Sequence, residues 1–97
     1  MSDMASIGVL TLELRLDNSH SLKEKRHVVK SLRDRLHHKF NVSVAEIECH
    51  DLWQRAVVAA VTVSPDKVQA EKVLQSVEQE TASLLGPALA GVTVEWI

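Results

Sequence analysis

Aromatic residues are nearly absent from this chain of 97 residues: one Phe, two Trp and no Tyr. The core must therefore be aliphatic, drawn mostly from Val, Leu and Ala. The single cysteine, Cys49, excludes an internal disulfide and a four-thiolate zinc site. With no signal-peptide pattern, a reducing cytoplasm is the expected compartment. The longest uncharged run, Thr81–Val94, contains Gly86, Pro87 and Gly91 and is too short and too broken to span a membrane. No Gly-rich phosphate loop, GXXG clamp or cofactor motif is present, and the paired aromatics of an RNA-recognition sheet are missing. A net charge of −2 supplies no global attraction to nucleic acid, so any such attraction must be local.

What is present is segregated. At 45% hydrophobic and 25% charged residues, the composition is that of one small globular domain. Within it, Ser21–Phe40, "SLKEKRHVVKSLRDRLHHKF", holds seven of the eleven Lys and Arg against two acids, a net of +5. The other 77 residues carry four cations and eleven acids, a net of −7.

Local patterns divide the chain without repeats or linkers. Residues 1–6 read as a loose terminus and 7–97 as one domain. Ile7–Leu16 alternates, with Leu10, Leu12, Leu14 and Leu16 on one face, as in a half-buried strand. Ser21-x-x-Glu24 matches a capping box, and Leu22, Val29, Leu32, Leu36 and Phe40 follow at helical spacing. Asn41–His50 reads as a second strand whose change of phase predicts a bulge near Val44–Ala45. Arg55–Val63 reads as a third, with Val57, Ala59, Val61 and Val63 inward and Ala56, Val58 and Ala60 on the opposite face. Ser64-Pro65-Asp66 signals a helix start with a serine cap. Its stripe runs through Ala70, Val73, Leu74, Val77, Thr81 and Leu84 until Gly86-Pro87 ends it. Gly91–Ile97 is the last strand, with Trp96 packed in or beside the sheet.

The order β-α-β-β-α-β, with one apolar stripe per helix, predicts an α+β ferredoxin-like two-layer sandwich. Two helices lie on one face of a four-stranded antiparallel sheet of order 4-1-3-2. The expected core includes Leu12, Leu14, Val29, Leu32, Leu36, Val61 and Val73. The helix-free face is expected to carry Glu13, Glu46, Glu48 and Glu95 beside Ala56, Val58 and Ala60. This topology brings "SLKEKR" and "HDLWQR" to the same edge of the domain.

The stretches "LRLDNSHSLKEKR" and "FNVSVAEIECHDLWQRA", with the small-residue strand that follows, resemble the YlxP-like family of small bacterial proteins of unknown function. The resemblance covers essentially the whole chain, and Ser21–Arg26 and Asp51–Ala56 are its specific parts. It implies a ferredoxin-like fold and carries no established activity, cofactor or catalytic residue. Genes of the family often adjoin those for a translation initiation factor and ribosome-binding factor A, which implies RNA or ribosome work.

Lys23, Lys25 and Arg26 crowd the start of the first helix, where the backbone amides already present positive charge. With Lys30 and Arg33 they form either an anion site or a solvated face. Lys25 falls inside the apolar stripe, so it either snorkels to the edge or meets an acid. Trp53, flanked by Gln54 and Arg55, either stacks on a base or folds back as a lid over the core. Ser21 and Glu24 support the helix start. Asp51 is a turn residue, an ion-pair partner or a general base. Glu46, Glu48 and His50 are spaced for metal ligation or act as edge charges that block strand pairing. Cys49 reads as a small core residue. The leading expectation is a nonenzymatic module binding structured RNA or the ribosome through helix 21–40 and hairpin 50–55. The alternatives are a protein-interaction or homodimer module using the open sheet face, and an enzyme acting on a small anionic ligand. No metal, cofactor or membrane contact is expected.

Overall fold

The computed structural model describes residues 5–97. The elements run β1 (Ser6–Arg15), α1 (Leu22–Lys39), β2 (Ser43–Glu48), β3 (Arg55–Ser64), α2 (Lys67–Leu85), a 3₁₀ turn (Gly86–Ala88) and β4 (Leu89–Trp96). The sheet order is β2-β3-β1-β4, all antiparallel, the expected order read from the other edge. Most of the expected loose terminus, residues 1–4, lies outside the described residues, and Ser6 already belongs to β1.

Local chemistry explains the helix limits. Ser21 caps α1, its Oγ accepting from the Glu24 amide at 3.1 Å. Glu24 reaches back to the His20 amide at 2.6 Å, one residue beyond a standard capping box. For α2 the cap is Asp66, which accepts from the Val68 amide at 3.0 Å. Ser64, the expected cap, accepts from the Asp66 amide instead and shapes the approach. Gly86 ends α2 at φ 55°, a conformation that favours glycine.

The helices cover one face, α1 lying over β2 and β3, and α2 over β1, β3 and β4. Leu10, Leu12 and Leu14 meet Leu32, Leu36, Leu74 and Val77 beneath them. Gly8 is required by close approach: a Cβ there would sit 2.7 Å from Trp96 Cζ3 and 2.8 Å from Leu74 Cδ1. The Trp96 ring therefore covers a bare stretch of backbone, and Lys67 Nζ stands 5.0 Å from its centre.

The phase of β3 is opposite to the expectation. Leu10, Leu12 and Leu14 pair with Ala60, Val58 and Ala56, so these three are core residues. Val57, Ala59, Val61 and Val63 lie on the open face, which removes Val61 from the core. Small side chains at 56 and 60 let the helices close down on the sheet. The bulge also moves, from Val44–Ala45 to Ile47, between Glu46 and Glu48. Glu46 consequently faces the helices, while Glu48, opposite Val57, takes the open face.

Two substitutions test this arrangement in urea denaturation. Leu32→Ala should cost about 2–5 kcal/mol, as truncations in cores do. Val58→Asp should prevent folding, because it buries an unpaired charge, whereas Val61→Asp should leave a folded domain. The reverse order for the two aspartates would restore the opposite phase.

Candidate functional site

The end of β1, the start of α1, the β2–β3 hairpin and the start of β4 meet at one edge of the domain. The side chain that organises this edge is Lys25. It occupies the same buried stripe as Val29, Leu32 and Leu36, and its own exposure is 0%. Its Nζ donates to the carbonyls of Cys49 (2.6 Å), His50 (3.2 Å) and Arg55 (3.4 Å). Three N–H donors thus meet three carbonyls from both arms of the hairpin. Glu46 Oε2 lies 2.9 Å from Nζ without hydrogen-bond geometry, so charge attraction carries that contact. Lys25 has met an acid, and it is withdrawn from solution as an anion-binding cation.

The hairpin is held in a specific shape. Cys49 adopts φ 67°, a left-handed conformation unusual for a side chain other than Gly or Asn. It is a turn residue, half-buried, not a core residue as expected. Its carbonyl accepts from the Leu52 amide at 3.1 Å as well as from Lys25. Gln54 faces the loop before α1, donating to the carbonyls of Asp17 and Ser19 at 3.1 Å each. Its NH₂ group therefore positions the hairpin, while the residue stays exposed. His50 Nε2 lies 3.2 Å from the Glu46 carbonyl. The bulge puts Glu46 and Glu48 on opposite faces, so the spacing that resembled a metal site does not assemble one.

Trp53 projects from this braced hairpin with 53% of its surface exposed and is no lid on the core. Leu52 beside it is also exposed.

The remaining cations divide into two groups. Lys30 and Arg33 meet Asp34 at 2.7 and 3.6 Å. Arg35 and Lys39 hold Glu80 at 2.6 and 2.9 Å. Hydrogen bonds from Lys39 and then Arg35 keep Glu80 below the usual carboxylate range, and the hydrogen bond from Lys30 does the same for Asp34. Each lowered carboxylate favours the fold at pH above its unfolded pKa, and that support is lost as pH falls through the folded value. In contrast, no described carboxylate forms a salt bridge with Lys23, Arg26, Arg15 or Arg55.

Lys23, Arg26, Lys30 and Arg15, with the acids Asp17 and Glu24 among them, edge an open groove of about 910 Å³ between the first half of α1 and the end of α2. Its floor is aliphatic, made by Leu16, Val28, Leu85, Pro87 and Ala88. Arg15 is not among the site residues that the sequence pattern suggests. The signal for it is the arginine at the end of "LELR" and at the start of "RAVV". In the antiparallel register Arg15 stands directly opposite Arg55.

The family described as Protein of unknown function (DUF503) matches residues 7–88. The chain belongs to this family. It is 45% identical over 71 residues to the uncharacterized protein YlxP of Bacillus subtilis (strain 168), spanning 73% of this chain and 77% of that one. In fold it resembles a de novo designed protein, LFR1 1, whose solution NMR structure has a ferredoxin fold. The TM-score is 0.50 at 12% identity, covering 97% of this chain and 84% of the design. Family membership and fold are thus as the sequence implies, and neither carries an assigned activity.

Lys25→Met should cost about 3–5 kcal/mol, because it leaves the Glu46 carboxylate and buried hairpin carbonyls without a partner. Lys23→Met, two residues away and solvent-exposed, should stay within about 0.5 kcal/mol of wild type. Equal losses in chemical denaturation would mean that Lys25 does not brace the hairpin. Cys49→Gly should be neutral or stabilising, while Cys49→Val should destabilise, since only glycine adopts a positive φ without cost.

Proposed function

We propose that this chain is a nonenzymatic module that binds structured RNA, ribosomal RNA being the expected target, with the hairpin edge of the domain. The observation that carries the reading is the Arg15–Arg55 pair. Two exposed arginines stand opposite each other in register, and neither forms a salt bridge with a described carboxylate. Like charges facing each other across strands destabilise a sheet. A phosphate between them removes that cost, and guanidinium groups bind phosphate in a two-pronged geometry.

The neighbours of the pair suit the same ligand. Trp53, two residues before Arg55, offers an indole face on which a base stacks. Lys23 and Arg26 continue the positive edge along the groove, whose aliphatic floor accepts the faces of splayed bases. The site is therefore an edge, taking only the last row of the sheet face that RNA-recognition folds use. A cytoplasmic site of action goes with this reading, Cys49 being a free thiol.

The test separates charge from stacking. Neutralising Arg15 and Arg55, which share one phosphate, should lower the slope of log K against log[salt] by about 0.7–0.9, the amount each neutralised phosphate adds. Neutralising Lys23 and Arg26 as well should bring the reduction to about 2–2.7 units. Trp53→Ala should cost about 1–3 kcal/mol and leave the slope nearly unchanged, because stacking releases no counterions. No measurable affinity for ribosomal RNA at physiological salt, or a quadruple variant with the wild-type slope, would sink the reading.

A further inference from the structure

Strand β3 is apolar on both faces. Ala56, Val58 and Ala60 point into the core, yet Val57, Ala59, Val61 and Val63 occupy the face that no helix covers. A half-solvated antiparallel strand alternates apolar with polar residues, whereas a continuous apolar run belongs to a strand buried on both sides. Ile7 and Val9 extend the same apolar surface onto β1, where they pair with Val63 and Val61.

We infer that this open face is the contact surface between two copies of the chain. The sheets stack face to face, strands antiparallel, about a two-fold axis near Thr11 and Ala59. Three features select a second copy as the occupant. The first is flatness: the middle row consists of Ala45, Ala59, Thr11 and Thr93, small side chains that allow sheets to approach to roughly 10 Å. The second is size. Four strands about 4.8 Å apart and some nine residues long make a face of roughly 19 by 30 Å, so a pair buries roughly 1,100 Å², which clears the lower limit for a specific interface. The third is charge. Arg15 and Arg55 stand at one end of the face, with Glu48 one row inward opposite Val57, and Glu95, opposite Val9, stands towards the other. Glu13, nearer the arginines, is folded over Gly91. A two-fold axis along the strands would lay the arginines on their own copies. The axis across the strands sends them to opposite ends, each pair towards the end of the second copy that bears Glu95. The two hairpin edges then lie at the far ends of the dimer, where Lys23, Arg26 and Trp53 stay outside the contact and Arg15 and Arg55 border both surfaces.

Sedimentation of the full chain over a concentration series tests this. The expected result is a monomer–dimer equilibrium in the micromolar range, as interfaces at the small end of the scale give. Ala59→Glu should raise the dissociation constant at least about a hundredfold by burying a like-charged pair. Val61→Asp should also weaken the dimer, since Val61 lies opposite Val57 of the second copy, and because Val61 lies on the open face the monomer folds. It decides alone if Ala59→Glu does not fold. Val68→Glu, on exposed α2 surface, should leave the equilibrium unchanged. Arg15→Glu or Glu95→Arg should each weaken pairing, and together they should restore it. A chain that stays monomeric at every concentration, or captures only a different protein, overturns the proposal. So does a dimer insensitive to both Ala59→Glu and Val61→Asp.

Discussion

A single ammonium group holds the functional edge of this domain together. Lys25 sits where the periodicity of α1 calls for an aliphatic side chain, and it reaches from there to both arms of the β2–β3 hairpin. A methionine can fill that volume but cannot satisfy three carbonyls. The left-handed turn at Cys49, the exposure of Trp53 and the placing of Arg55 all follow from where those carbonyls are pinned. Burying a charge pair is expensive even when geometry is good. What the pair provides here is one defined hairpin shape, joined to helix α1 and, through Gln54, to the loop before it.

The sequence conveys the fold almost completely, and physical chemistry shows why. The alternation of β1, the Ser21–Glu24 cap and the two helical stripes are each unambiguous, and their order leaves few topologies to consider. The phase of β3 is not legible, since both of its faces are apolar and the larger residues occupy the outward one. Lys25 and Glu46 each give a partial signal: one lies inside an apolar stripe, the other on a strand whose bulge falls two or three residues beyond the change of phase. The bulge at Ile47 is what turns Glu46 towards Lys25. Arg15 emerges only when strands that lie far apart in sequence are paired. Such sites depend on register, which short patterns do not encode.

The positive charge that marks α1 resolves into separate roles once the chain is folded. The C-terminal half of the helix neutralises Asp34 and Glu80, tying α1 to α2 through Glu80. Lys25 is structural. Lys23 and Arg26 remain, joined by two arginines from strands outside the basic segment. The charge concentration is therefore a poor guide to the site if read as one feature. Much of it is ordinary helix-surface pairing worth little individually.

The burial of Lys25 also makes it a reporter. Of the six lysines in the chain, Lys25 is the one whose amine is fully shielded while α1 and the hairpin are together. An amine-reactive acylating agent will modify Lys23, Lys30 and Lys39 in the native state but reach Lys25 only when that region opens. Acylation then removes the charge and adds bulk at the one position where neither fits. The modified hairpin cannot re-form its contacts with Nζ, so each opening is recorded permanently. The rate at which label accumulates on Lys25 is thus a direct clock for local opening of the hairpin edge, read by mass at a single residue.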